Sequence, residues 1–193
     1  MSAATIQRLI SGATRVRAPL TFARCRKGAT TLEFAFVATP FIALLVATIQ
    51  TFVVFFAQRV LDEVTEEASR YIMTGEAQGA SLTQSGFANY LCTSATTATL
   101  VSTLFNCNNI IINVMNYSAF SAANTTTPTL TYNKNGTVSN TWIYSPGNPG
   151  DIVVVQVMYQ WPVVLGPLGF NLSNLSNGNR LLVSTAVFKN EPY

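Results

Sequence analysis

The chain has 193 residues, of which 49% are hydrophobic and only 10% are charged, and its formal net charge is +3. This length accommodates one membrane segment and one modest exported domain. Histidine is absent from the sequence, which removes the usual base of a nucleophilic triad and the commonest metal ligand. We therefore expect a protein that is not an enzyme and that has no metal site and no cofactor.

The first 28 residues are predicted to be a basic cytoplasmic leader. This segment contains six of the eleven basic residues and no acidic residue, whereas the remainder has five basic and eight acidic residues. The positive-inside rule places the N-terminus in the cytoplasm and the rest of the chain outside. Because the exported part is mildly acidic, the positive charge indicates targeting, and we expect no nucleic-acid partner. The basic residues of the leader are Arg8, Arg15, Arg17, Arg24, Arg26 and Lys27.

An uncharged apolar run over residues 34–57 is predicted to be the transmembrane part of a longer helix. At about 1.5 Å per residue it would span ~36 Å, against a hydrocarbon core of ~30 Å. The alternative, a buried helix of a soluble protein, is not favoured by so long a run without a polar face. We expect the helix to begin near Ala29 and to be kinked at Pro40, whose ring removes a backbone donor.

The helix is predicted to continue beyond the membrane run. Apolar residues recur at spacings of three and four as far as Ile72, opposite a charged face whose acids are expected to be mostly solvated. Thr74-Gly75 predicts the helix end. The helix would thus cover residues 29–75, leaving residues 76–193 as an exported α+β domain.

The exported domain is predicted to combine short helices with an antiparallel sheet. Ser81 and Gln84 suggest a capping box for one helix, and residues 93–104 are interpreted as another. Asn135-Gly136 predicts a hairpin between two strands. The predicted strands are residues 110–117, 129–132, 141–144, 152–165 and 180–189. The fold class is therefore α+β, with a long N-terminal transmembrane helix extending into a small exported domain with an antiparallel sheet.

Cysteines and acids limit the chemistry of the exported domain. Cys92 and Cys107 would lie in an oxidising compartment, where an even pair is most simply a disulfide; the alternative is two buried free thiols. Beyond the helix only Glu76, Asp151 and Glu191 are acidic, and nothing in the sequence brings two of them together for acid–base catalysis.

The junction between leader and helix contains a carboxylate where a membrane helix usually has none. Glu33 lies four residues after Ala29, on the same helix face. A carboxylate at the membrane boundary costs a few kcal/mol unless it is paired or near water. Its partner could be a new α-amino group on Ala29, created by cleavage after Gly28. Alternatively, Glu33 could reach the interface beside Arg26 and Lys27, and the physics alone does not choose.

Residues 27–35 (KGATTLEFA), which include Lys27, Gly28, Ala29, Glu33 and Phe34, resemble the prepilin-peptidase site of type IV pilins. In that family a basic leader is removed after a glycine, and a glutamate is the fifth residue of the mature chain. Residues 33–37 (EFAFV), Pro40 and residues 67–71 (EASRY) are more specifically similar to TadE-like proteins, the pseudopilins of the tight-adherence (Flp) pilus system of bacteria. The C-terminal residues 188–193 (FKNEPY) are similar as well.

The resemblance implies a component of pilus assembly in the bacterial inner membrane. A prepilin peptidase would remove residues 1–28 on the cytoplasmic face, and Glu33 would pair with a neighbour's N-terminus and set the register of packing. The other partners would be pilins or pseudopilins and inner-membrane assembly proteins. The C-terminal domain would be periplasmic, or part of a surface adhesion pilus.

Three other functions are compatible with parts of the sequence. A single-pass inner-membrane protein with an exported binding domain unrelated to pili would show no processing and no dependence on Glu33. A secreted protein is disfavoured because the apolar run exceeds the ~7–15 residues usual in a signal peptide. An anchored periplasmic hydrolase is disfavoured by the missing histidine and the sparse acids.

Overall fold

The computed structural model describes residues 28–164, 166 and 169–192. The predicted leader lies outside the described residues except for Gly28. The chain divides after Leu44 into two compact units. Helix α1, Ala29–Met73, is 45 residues long and supplies all the described structure of the first unit after Gly28, as well as the start of the second. The long N-terminal helix predicted from the sequence is confirmed.

The second unit places short helices and a sheet after α1. The helices are α2 (Glu76–Gly79), α3 (Gln84–Thr93) and α4 (Ala98–Leu104), with 3-10 turns at Cys107–Asn109 and Phe120–Ala122. The strands are β1 (Ile111–Tyr117), β2 (Ile152–Trp161) and β3 (Arg180–Lys189). They form an antiparallel sheet in the order β1-β2-β3, with Val114 opposite Val155 and Val155 opposite Ala186. The predicted mixture of helix and antiparallel sheet is thus confirmed.

One hydrophobic core joins the second half of α1 to the sheet. Leu61, Val64 and Ile72 of α1 are completely buried, and they belong to the same cluster as Val153 and Val155 of β2. These α1 residues follow the spacing of three and four that places side chains on one helix face. Full burial of each such side chain is worth about 1.5–3 kcal/mol, so this face holds the helix onto the sheet.

The opposite face of the sheet contains a buried polar pair. Asn113 Nδ2 donates to Gln156 Oε1 across β1 and β2 at 3.1 Å, and Gln156 Nε2 donates to the carbonyl of Thr126 at 3.1 Å. Asn113 Oδ1 in turn accepts from the backbone N–H of Ile143. Because buried amides need partners, this pair fixes two parts of the long β1–β2 connection against the sheet.

The prediction of a hairpin around Asn135-Gly136 is wrong, because the two predicted strands do not pair with each other. The turn itself forms, because Asn133 Oδ1 accepts from the N–H groups of Asn135 and Thr137, but pairing stops after one bridge between Tyr132 and Val138. The segment predicted as the second strand instead lies alongside β1, where the carbonyl of Ile143 accepts from Val114 at 2.8 Å. Partners distant in the sequence therefore outweigh the local turn signal.

Three predicted boundaries also change. Thr83 caps α3 by accepting from the N–H of Gly86 at 3.1 Å, so the predicted capping box at Ser81 is wrong; Ser81 has a positive φ of 48°. The helix predicted over residues 93–104 is interrupted, since α3 ends at Thr93 and α4 begins at Ala98. Strand β2 ends at Trp161 rather than at residue 165, because Pro162 has no N–H to donate.

The C-terminal residues close the second unit. Asn190 is buried, and its Nδ2 donates to the carbonyls of Pro146 (2.9 Å) and Asn148 (3.1 Å). The N–H of Glu191 donates to the carbonyl of Met73 at 3.0 Å. The C-terminal end of a helix has carbonyls without intrahelical partners, so this contact satisfies one of them at the end of α1.

The predicted disulfide is present. Cys92 on α3 and Cys107 in the following 3-10 turn are bonded, with their Cα atoms 6.2 Å apart. The bond closes the segment that contains α4. It thereby ties α4 to α3 independently of side-chain packing.

Glu67 of α1 holds the turn that leads into α4. Its carboxylate accepts from the backbone N–H groups of Thr96 and Thr97 and from the Thr97 hydroxyl. Burial raises the pKa of the Glu67 carboxyl, but the hydrogen bonds from Thr96 and Thr97 together outweigh this, so its pKa lies below the ordinary value. Glu67 is therefore an exception to the solvated acidic face expected from the sequence.

Reduction of the disulfide should lower the stability of the second unit. With a sequence separation of 15 residues, the chain-entropy model gives a loss of about 3 kcal/mol. We expect reductant to lower the urea midpoint of the detergent-solubilised chain, followed by near-ultraviolet circular dichroism. Cys25→Ser should respond as the unsubstituted chain does. An equal effect of reductant on the Cys92→Ser/Cys107→Ser double variant would contradict the assignment.

Glu67→Gln should destabilise the same unit by about 1 kcal/mol at neutral pH, since a partly exposed charged acceptor is lost. The native pKa of Glu67 is lowered, so its stabilisation is present above the unfolded-state value of about 4.5 and is lost as pH falls through the native pKa. The difference between the two chains in urea midpoint should therefore shrink below that pH. The matched control is Glu66→Gln, at an exposed acid one residue away; an equal effect of both substitutions would refute the role of Glu67.

Candidate functional site

The first half of α1 presents apolar side chains on its surface. Among the described residues, α1 is the one helix long and apolar enough to cross a membrane, and only 17% of its most apolar window is buried. The core helix of a soluble protein would be mostly buried, so that alternative does not fit. The large exposed side chains of the first unit are Leu32, Phe34, Phe36, Val37, Phe41, Ile42 and Leu44.

These exposed residues do not follow the periodicity of an amphipathic helix. Phe36 and Val37 are adjacent and both exposed, as are Phe41 and Ile42. Consecutive positions lie about 100° apart around a helix, so the apolar surface is wider than a single stripe. A helix that is apolar on most of its circumference is stable in lipid rather than in water.

Glu33 is exposed within this apolar surface. The structure gives its carboxylate no hydrogen bond or ion pair with any described residue. It follows Ala29, the first residue of α1, by four positions, and precedes Phe34, which is 73% exposed. An unpaired carboxylate among apolar side chains is unfavourable in lipid, so Glu33 is available to a partner beyond the described residues.

Gly28 immediately precedes α1 and is also exposed. A Cβ atom added to Gly28 would have no heavy atom within 4 Å. The fold therefore places no steric demand on glycine at this position. The structure thus aligns Gly28, Ala29, Glu33 and Phe34 along the start of one helix, whereas Lys27 lies outside the described residues.

Pro40 lies inside α1, as expected from its position in the apolar run. One residue earlier, the Thr39 hydroxyl donates to the carbonyl of Ala35 at 2.7 Å and so satisfies its own donor within the helix. The ring nitrogen of Pro40 cannot donate to the carbonyl of Phe36. The kink at Pro40 stays a prediction.

Among the described residues, Gln50 in the apolar part of α1 makes a polar contact with the segment that follows β2. Gln50 Nε2 donates to the carbonyl of Val164 at 3.2 Å. Val164 follows β2 in a segment, residues 161–172, that has no charged residue. The sequence pattern did not single out Gln50; the available signal was an amide inside an otherwise apolar run.

An acidic groove of about 350 Å³ lies farther along α1, between Glu63 and Arg70 on the helix and Thr96 and Thr97 on the following turn. Its best-defined interaction is the intramolecular contact of Glu67 with that turn. Within the described part of the chain, no group of three or more acidic or cysteine side chains could hold a metal ion. The features that point to function therefore lie on the first half of α1.

Comparison with known proteins agrees with this location. A family model described as TadE-like protein matches residues 28–70, so the match begins at Gly28 and includes both Glu33 and Pro40. Searches of curated proteins and of solved structures found no match. The resemblance predicted from the junction is confirmed over this segment: residues 28–70, which are nearly the whole of α1, match the TadE-like family.

Proposed function

We propose that this protein is a pseudopilin-like component of a tight-adherence (Flp) pilus system, acting in the biogenesis of a surface adhesion pilus. The observation that carries the proposal is the position of the family match, which begins at Gly28 and covers a helix with an exposed, unpaired Glu33. TadE-like proteins are structural or assembly components, and the chain is assigned no catalytic role.

Processing by a prepilin peptidase would follow Gly28 on the cytoplasmic face of the inner membrane. Cleavage there makes Ala29 the N-terminal residue, and Ala29 is the first residue of α1. The new ammonium group would therefore stand at the end of the mature helix. Because Gly28 is exposed, the bond that follows it is accessible on the described part of the chain.

Glu33 would then set the packing register between subunits. The carboxylate lies four residues from Ala29, or ~6 Å along the axis at about 1.5 Å per residue. A neighbouring mature helix that is displaced by this amount brings its ammonium group level with Glu33. The ion pair would replace an unpaired carboxylate in an apolar environment, which favours one register over its alternatives. The partners of this packing would be pilins, pseudopilins or inner-membrane assembly proteins.

The orientation follows from charge and redox chemistry. The basic leader remains in the cytoplasm by the positive-inside rule, so the second unit reaches the periplasm or the pilus. A disulfide between Cys92 and Cys107 fits an oxidising compartment. Both features support a single-pass protein of the bacterial inner membrane.

Substitution of Gly28 should block processing without disturbing the fold. Gly28→Val adds a side chain where the structure has open space, so a loss of cleavage would reflect peptidase recognition. We expect mass spectrometry of the membrane-extracted chain to find an N-terminus at Ala29, and an intact leader in Gly28→Val. Gly79→Ala is the matched control, since its Cβ also meets nothing within 4 Å. An intact leader on the unsubstituted chain in cells with active peptidase would exclude processing.

Glu33→Gln should impair the packing of α1 against neighbouring subunits without reducing insertion of the chain into the membrane. Removal of the charge lowers the penalty for placing residue 33 in lipid, by up to a few kcal/mol, so the chain should remain inserted. Cross-linking between neighbouring α1 helices in cells should nevertheless fall several-fold, because the ion pair is lost. Glu63→Gln, at an exposed acid beyond the apolar run, should cross-link normally. Equal cross-linking of all three chains would favour the alternative of a membrane protein unrelated to pili.

A further inference from the structure

After β2 the chain returns to the apolar part of α1 and packs beside it. Pro162, Val163 and Val164 line an apolar cavity of about 230 Å³ together with residues of α1 that include Ile49 and Val53. Phe170 lines a second, open groove with Phe52 and Phe55 of α1. We call the surface formed by Pro162, Val163, Val164 and Phe170 the apolar loop surface.

The contact between Gln50 and Val164 fixes the level of this surface along α1. Gln50 Nε2 donates to the Val164 carbonyl, so the two residues lie side by side. At about 1.5 Å per residue, Gln50 lies ~10 Å before Ala57, the last residue of the predicted transmembrane run. The apolar loop surface therefore lies at the outer end of that run, close to where the acyl chains meet the headgroups.

The chemistry of the surface suits that boundary. Val164 is 72% exposed although it is fully apolar, and no charged residue occurs between positions 161 and 172. Trp161 at the end of β2 and the exposed Phe52 and Phe55 of α1 add aromatic rings at the same level. Aromatic residues are enriched at membrane interfaces, and the transfer of exposed aliphatic side chains from water to the acyl boundary is favourable.

We propose that the apolar loop surface is a second membrane-contacting element, occupied by lipid at the headgroup–acyl boundary. Its continuity with the apolar surface of α1 identifies lipid as the occupant. The proposal rests on the membrane span contained in the proposed function. A protein partner on the same surface, or a second copy of this chain, is a different outcome of the test below. Contact at both α1 and the loop restrains the second unit against the bilayer more than a single helix can.

The test uses nitroxide labels on the full chain in vesicles of phosphatidylethanolamine and phosphatidylglycerol. Each variant has Cys25→Ser, the native disulfide and one new cysteine: Val164→Cys on the loop, Phe41→Cys in the span or Leu100→Cys on α4. All three positions are exposed, at 72%, 58% and 50%. Phe170→Cys is a second reporter for the loop if Val164→Cys fails to fold. The measured quantities are collision rates with oxygen, which enriches in lipid, and with a water-soluble nickel chelate.

The expected result is oxygen in excess over nickel at positions 41 and 164, and nickel in excess at position 100. Nickel in excess at 164 with oxygen in excess at 41 would overturn the membrane contact of the loop and leave the span intact. Low collision rates with both reagents at 164 would also overturn it, because a protein partner then covers the surface. Nickel in excess at position 41 would refute the span itself.

Discussion

The hydrophobic core shared by the second half of α1 and the sheet is the interaction on which the rest of the structure depends. Leu61, Val64 and Ile72 contact the same core as Val153 and Val155, and all five are completely buried. The sheet has three strands, too few to enclose a core without a helix across one face. The second unit therefore cannot be separated from α1 without exposing this core.

The same helix changes its environment along its length. Residues 32–56 include exposed apolar side chains at consecutive positions, whereas residues 57–73 have a buried apolar face and a polar one. Because a helix satisfies its own backbone hydrogen bonds, it can pass from lipid to water without loss of those bonds.

Two glutamates on α1 show how environment assigns different roles to the same side chain. Glu67 is satisfied within the chain by Thr96 and Thr97, and its pKa is lowered by those hydrogen bonds against the opposing effect of burial. Glu33 has no partner among the described residues and lies among exposed apolar side chains. Glu67 therefore stabilises a turn of the second unit, whereas Glu33 is available to a partner beyond the described residues. The sequence distinguishes Glu33, which is isolated in the apolar run, but it does not distinguish Glu67 from the neighbouring Glu66.

The sequence by itself determined the long helix, with a run long and apolar enough to cross a membrane, its end at Thr74-Gly75 and the presence of an antiparallel sheet. These features follow from composition and local periodicity, which depend only on residues that are close together in the sequence. The disulfide and the TadE-like segment were also predictable, since cysteine parity and the junction motif can be read directly. Only the tertiary structure decided that residues 141–144 lie beside β1, that Glu67 holds the turn before α4, and that Gln50 bonds Val164. Each of these contacts joins residues that are distant in sequence, and their free energy depends on the packing that brings them together.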